Sequence, residues 1–271
     1  MQGSSRASLA SGEERLEALL GAPDVDRAAV ADGLFAVAAL LDGSGSLRRA
    51  LTDPSQDGSA KAGLATRLLE GRLPGGVVDL VAGLARSRWS RARDLADAIE
   101  ELAVTSVVAA AEAEGRLDRV EDELFRFGRT VEATPQLRSA LSDGTASAER
   151  KTQLVEQLLA EKVAPETLRL VRQGVVEPRG LNLESALTRY GQVAARRREQ
   201  LVARVIVALP LDEAHRERLS QALQRMYGRR VHLNVDVDPE VLGGIRVEIG
   251  DEVLDGTVGR RLDDARRRLA G

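Results

Sequence analysis

Along residues 5 to 200 the apolar positions recur three and four apart, the spacing of helices that bury one stripe. The pattern predicts helices over 5–20, 26–42, 45–52, 59–70, 75–87, 91–114, 117–133, 135–141, 147–161, 165–176 and 182–203. In the fourth, Leu64, Leu68 and Leu69 fall at i, i+4 and i+5, so one side is buried. The breakers "GSGS" at 43–46, "DPSQDG" at 53–58 and "LPGG" at 73–76 keep the helices short and antiparallel, as in a bundle.

After Arg196-Arg197-Arg198 the period shortens to two. "LVARVIVAL" at 201–209 predicts a strand that Pro210 ends. Asp212 is placed to cap a helix whose stripe is Leu219, Ala222, Leu223 and Met226, with Gly228 at its end. "RVHLNVDVD" at 230–238 sets Val231, Leu233, Val235 and Val237 on one face. Ile245, Val247 and Ile249 then alternate with Arg246 and Glu248, Gly250-Asp251 turns the chain, and "EVLD" starts back. Val258, Leu262, Ala265 and Leu269 mark a closing helix. The fold class is mostly α: an N-terminal helical bundle over 1–115, a second helical unit over 116–199, and a small C-terminal α+β domain over 200–271.

The second helical unit repeats part of the first. With residue n placed over n+90, Leu34-Phe35 meets Leu124-Phe125, Leu47-Arg48 meets Leu137-Arg138 and Ala50-Leu51 meets Ala140-Leu141. Asp53, Lys61, Leu64, Leu68 and Leu69 meet Asp143, Lys151, Leu154, Leu158 and Leu159. These are 11 identities over residues 34–69, where this composition yields roughly three by chance, so a tandem duplication is expected. Two copies of about 90 residues are too long and too few for a stacked solenoid, which leaves two small bundles in series.

Composition narrows the function. With 43% hydrophobic residues the 271-residue chain can bury a sizeable core. A net charge of -3 and 2% aromatics offer neither a basic surface nor stacking platforms for nucleic acid. The absence of cysteine excludes disulfides, thiolate metal sites and cysteine nucleophiles. Runs free of charge, such as "LAVTSVVAAA" at 102–111, fall short of the roughly 20 residues of a membrane span, so the expected location is cytoplasmic with membrane association indirect.

No residues are arranged for chemistry. His215 and His232 have no third ligand at zinc-like spacing, and both read as surface residues. Gly43 and Gly45 follow a helix rather than a strand, which makes them a linker and not a dinucleotide loop. Arg196–Arg198 and Arg266–Arg268 stand near helix ends, where cations offset the macrodipole and acidic residues lie close in sequence; they read as solvated. Trp89, the single tryptophan, reads as packing, with anchoring of a partner as the other reading. No catalytic, cofactor-binding or metal-binding residue is expected. The competing class is a helical nucleic-acid-binding protein that uses the arginine clusters.

The stretch "DPEVLGGIRVEIGDEVLDGTVGRRLDDARRRL" resembles the C-terminal signature of the ATP synthase delta chain, the bacterial counterpart of the oligomycin sensitivity conferral protein. The matching residues are Leu242, Gly243, Gly244, Ile245, Val247, Gly250, Asp251, Asp255, Gly256, Thr257, Arg261 and Leu262, which most simply build the fold. The repeat resembles the long actinobacterial form. The resemblance implies a non-catalytic stator subunit in the peripheral stalk of a proton-translocating ATP synthase, at the cytoplasmic face of the bacterial membrane. It implies as partners the N-terminal segments of alpha subunits and subunit b, with no cofactor and no nucleic acid. By the same resemblance an alpha-subunit groove is expected on Leu9, Leu16, Leu19 and Leu20 of helix 5–20 and Val77, Leu80, Val81 and Leu84 of helix 75–87, residues that also suit a bundle core. The duplicated unit at 116–199 is expected to add contacts with subunit b or an alpha chain.

Overall fold

The computed structural model describes residues 3–199, 201–227, 231–238, 241, 243–249 and 252–256, in two compact units, Met1–Arg197 and Arg198–Gly271. The first is helical: α1 (Ser4–Leu20), α2 (Arg27–Gly43), α3 (Gly45–Thr52), α4 (Gly58–Leu69), α5 (Gly75–Arg86) and α6 (Ala92–Ala113), then α7 (Leu117–Ala133), α8 (Pro135–Ser142), α9 (Ala148–Leu159), α10 (Pro165–Val176) and α11 (Leu183–Glu199). The expected bounds agree closely except for the last. Periodicity extends that helix to 203, but it stops at Glu199, and Leu201 already belongs to a strand whose Val205, Ile206 and Val207 suit a pleated surface.

The helices themselves repeat. α2, α3, α4 and α5 each recur as α7, α8, α9 and α10 with both ends displaced by 90 residues, while α6 and α11 begin 91 residues apart. Several residues shared by the two sets do the same local work. Asp53 accepts from the Ser55 N–H and hydroxyl at 2.9 and 2.7 Å, and Asp143 accepts from the Thr145 N–H and hydroxyl at 2.8 and 2.7 Å, so the same Asx turn follows α3 and α8. Arg48 donates to the Asp42 carbonyl at the end of α2, and Arg138 to the Glu132 carbonyl at the end of α7. Leu34, Leu51 and Leu69 are buried, as are Leu124, Leu141 and Leu159.

One position shows how the sets diverge without losing their packing. In the first, Gly33 leaves room for Val77, and Pro74 enters α5 with no N–H to satisfy. In the second the same three places hold Glu123, Thr167 and Ala164. The buried Glu123 carboxylate accepts from the Ala164 N–H at 2.8 Å and the Thr167 hydroxyl at 2.7 Å, while Arg119 lies 2.7 Å from its other oxygen. Burial pushes this carboxyl up, but the bonds from Thr167, Ala164 and Arg119 outweigh it and hold it below its ordinary value. A dry apolar contact has been exchanged for a satisfied polar one. A single core runs through both sets, from Leu16 to Ala194.

The second unit holds β1 (Leu201–Val207), α12 (Glu213–Tyr227), β2 (Val231–Val237), β3 (Ile245–Ile249) and β4 (Glu252–Asp255) in a sheet of order β2-β1-β3-β4. β1 and β2 are parallel across α12, with Val205 opposite Val235; β3 runs antiparallel to β1, with Val247 opposite Val205, and pairs with β4. Ala203, Val205, Val207, Val231, Val247 and Ile249 form the core with Leu223 of α12. Asp212 caps that helix as expected, accepting from the His215 N–H at 2.7 Å. Its expected stripe is corrected: Ala222 and Met226 are exposed, and Leu219, Leu223 and Tyr227 face the sheet. Both stripes satisfy helical spacing, and the sheet selects the one with the larger side chains.

Gly243 and Gly244 lead into β3 with φ of +86° and +92°, a region costly to any residue with a Cβ. Gly256 closes the β3–β4 pair by donating its N–H to the Ile245 carbonyl at 2.9 Å. Ile245, Val247 and Asp255 of the signature are placed in β3 and β4. Leu242, Gly250, Asp251, Thr257, Arg261 and Leu262 lie outside the described residues, as do Gly228, Arg266–Arg268 and the expected closing helix.

Two substitution sets test this account. Gly243→Ala or Gly244→Ala costs about 1–2 kcal/mol, so hydrogen exchange in β1–β4 quickens by roughly 5- to 30-fold while α6 is unaffected. Glu123→Ala costs about 1–3 kcal/mol by orphaning the Ala164 N–H, and adding Ala164→Pro, the first set's solution, recovers part of that in urea unfolding. Because the folded pKa of Glu123 is depressed, its contribution is full above the unfolded value near 4.5 and falls away as pH drops through the folded one; Glu123→Gln flattens the acid limb of stability against pH.

Candidate functional site

Helix α6 packs against α1, α2, α3, α5, α7 and α10, and its acidic positions gather the arginines of the second helical set. The loop from α10 to α11 turns at Arg179, where φ is +50°, and sends its side chain inward. That side chain is 3% exposed. Its guanidinium donates to Asp42 of α2, to Asp97 and Glu100 of α6 at 3.1 Å each, and to the Ala96 carbonyl at 3.0 Å. Burial opposes the charge, but Asp42, Glu100 and Asp97 more than offset it and hold the group above its ordinary pKa.

Helix α11 continues the seam. Arg189 reaches Glu100 at 3.1 Å and Glu101 at 3.4 Å, and Arg196 reaches Glu101 at 2.6 Å. The Tyr190 hydroxyl donates to Glu100 at 3.2 Å, and burial followed by the nearby Glu100 charge pushes that phenol well above its ordinary range. Arg197 contacts Glu112 at 2.6 Å and Glu17 of α1. The expectation of a solvated arginine triplet is therefore corrected for Arg197, which is buried, and its acidic partners lie 85 and 180 residues away rather than nearby in sequence. Sequence reasoning missed Arg179, Asp97 and Glu100 altogether. The available signal was "DAIEE" at 97–101, a cluster of charge that leads straight into the apolar run "LAVTSVVAAA" of the same helix.

The expected groove residues fall on neighbouring helices. Leu16, Leu20, Val77, Leu80, Val81 and Leu84 are buried in the common core, while Leu9 and Leu19 are partly exposed at its edge. α1 and α5 meet at glycines: a Cβ on Gly12 would lie 2.7 Å from Leu84, and one on Gly76 would lie 2.4 Å from Leu19. Trp89 is buried with its indole N–H donated to the Leu84 carbonyl at 2.8 Å, as packing requires. His215 is exposed beside Asp212, and the side chain of His232 lies outside the described residues. Among the described residues no cluster of three or more His, Asp or Glu could hold a metal, and no single helix is long and apolar enough to cross a membrane.

The model of the family described as ATP synthase delta (OSCP) subunit matches residues 103–269, from within α6 through the second helical set and the sheet unit. The "ATP synthase subunit delta" of Streptomyces griseus is 52% identical over 271 residues, covering all of both chains. The chain belongs to the ATP synthase delta (OSCP) family. The proteins of the same name from Kineococcus radiotolerans, 49% identical over 99% of this chain and 98% of that one, and Thermobifida fusca, 46% identical over all of both, share the full length with it. Helices α1–α5, with all eight expected groove residues, precede the stretch matched by the delta family model.

Removal of the central cation tests the seam. Arg179→Met destabilises the helical unit by about 3 kcal/mol, the low end for a broken buried pair because Arg189 still meets Glu100. Arg179→Lys does not restore it, since an ammonium cannot reach three carboxylates from one plane. Equilibrium urea unfolding followed by Trp89 fluorescence measures both.

Proposed function

We propose that this chain is the non-catalytic stator subunit of a proton-translocating ATP synthase, tying the catalytic head to subunit b so that the head does not turn with the rotor. The observation that carries this reading is identity near 50% over the full length of delta subunits, including the helical set that the family model leaves out. The chain thus acts peripherally at the membrane, on its cytoplasmic face, through the rest of the complex. A part that resists torque must not deform, and the buried arginine seam with its continuous core supports that demand.

The N-terminal segments of alpha subunits are the partners of the helical bundle in this reading, and subunit b is the partner of the C-terminal region. The repeat supplies two equivalent helix pairs, α1 with α5 and α6 with α10. The second is already engaged, because Arg169 of α10 donates to Asp32 and to the Ala28 carbonyl of α2. The α1–α5 pair keeps Leu9 and Leu19 partly exposed, which favours it as the place where an amphipathic alpha-subunit helix lays its apolar face. The first bundle, 1–115, then takes the grip, and the unit at 116–199 adds to it.

A peptide of the alpha-subunit N-terminus from the same cells, titrated into the full chain by calorimetry, is expected to bind stoichiometrically. Leu9→Glu with Leu19→Glu is expected to weaken it by at least tenfold, about 1.4 kcal/mol. Undiminished binding would remove α1–α5 as the site. Purification of the chain from membranes without alpha, beta and b would remove the stator reading itself.

A further inference from the structure

Phe35 and Phe125 occupy the same place in the two helical sets and have opposite surroundings. Leu34, Leu47, Leu51, Leu64, Leu68 and Leu69 each keep the burial of their counterparts 90 residues on, but Phe35 is 7% exposed and Phe125 69%. Part of what covers Phe35 comes from α10. The Arg169 guanidinium lies over its ring, 5.9 Å from the centroid, while donating to Asp32 and to the Ala28 carbonyl at 3.1 Å. Further along the same helix Asp42 takes Arg179. The outer face of α2 is thus a receptor for arginines, built from a carboxylate, an aromatic ring and a second carboxylate.

The chain carries that receptor twice. The places of Asp32, Phe35 and Asp42 are taken on α7 by Asp122, Phe125 and Glu132. Among the described residues these carboxylates pair within their own helix, Asp122 with Arg126 at 2.6 Å and Glu132 with Arg129 at 3.0 Å, at positions more than half exposed. Such pairs exchange easily for a better partner. A large aromatic ring kept in the surface of α7 contributes little to this fold.

We propose that the outer face of α7 docks an amphipathic helix of another subunit of the complex, one that presents an arginine among apolar residues as α10 presents Arg169 between Leu168 and Leu170. The arginine stacks on Phe125 and pairs with Asp122, and Glu132, about 15 Å further along the helix, receives a second cation. A second copy of this chain is a poor occupant, because its own Arg169 is engaged on α2. The proposal rests on the stator reading for the complex in which the helix is sought, and it is independent of the α1–α5 groove.

The test is to place a benzophenone amino acid at Phe125, purify the whole synthase through this chain, irradiate it and map the cross-links by mass spectrometry. The expected product joins residue 125 to a helical segment of a different synthase subunit with an arginine within about one turn, and Asp122→Asn lowers its yield several-fold. Cross-links only to a second copy, to lipid or to nothing overturn the proposal while leaving the stator reading intact; a preparation with no other synthase subunit sinks both. In the isolated chain Phe125→Ala leaves the melting temperature unchanged, whereas Phe35→Ala lowers it. Equal lowering by the two would make Phe125 a residue of the fold and end the proposal.

Discussion

A guanidinium withdrawn from water must be met by charge, and the helical unit is arranged around that requirement at Arg179. Three carboxylates, one from α2 and two from α6, converge on the arginine of the loop between α10 and α11, so that loop cannot leave the two helices without stranding buried charge. Leucine contacts alone tolerate sliding by a turn; a planar cation with fixed donor directions does not. Arg189, Tyr190, Arg196 and Arg197 extend the same constraint along α11. The register of the second set on the first is thereby defined by polar chemistry, with the core filling in behind it.

The two helical sets show two ways of meeting one packing problem. Where Gly33, Pro74 and Val77 make a junction with no hydrogen-bonding group to satisfy, Glu123, Ala164 and Thr167 make one in which every such group is paired. Neither trio works with a single member exchanged: an alanine N–H beside Gly33 would lack an acceptor, and a proline before α10 would take a donor away from Glu123. Coordinated replacement of this kind keeps helix ends at the same spacing after much of the side-chain detail has diverged.

Much of this architecture was legible in the sequence. Helix ends are written locally in Asp, Ser, Gly and Pro, so their bounds could be read from short windows, and the repeat stood out because Arg48, Asp53 and the core leucines hold turns and ends in both sets. The paired glycines before β3 were equally plain, since two positive φ values in succession leave few other choices. The interlock was not legible. Its partners are separated by between 79 and 180 residues, and no local pattern says which acid an arginine will find. The stripe on α12 was misread for a related reason: helical spacing marks an apolar side but not what lies against it, and on α1 and α5 the same spacing does not separate the six expected groove residues that belong to the core of this chain from Leu9 and Leu19 at its edge.

Helix α6 belongs to both helical sets, packing against α1, α2, α3 and α5 on the one hand and α7 and α10 on the other. Two bodies joined by a linker have a compliant point at which a twist is absorbed as bending. Two that share a 22-residue helix have none, because displacement of one set must strain the backbone hydrogen bonds or the core contacts of a helix also held by the other. The second helical set in this way extends the first without adding a spring between them.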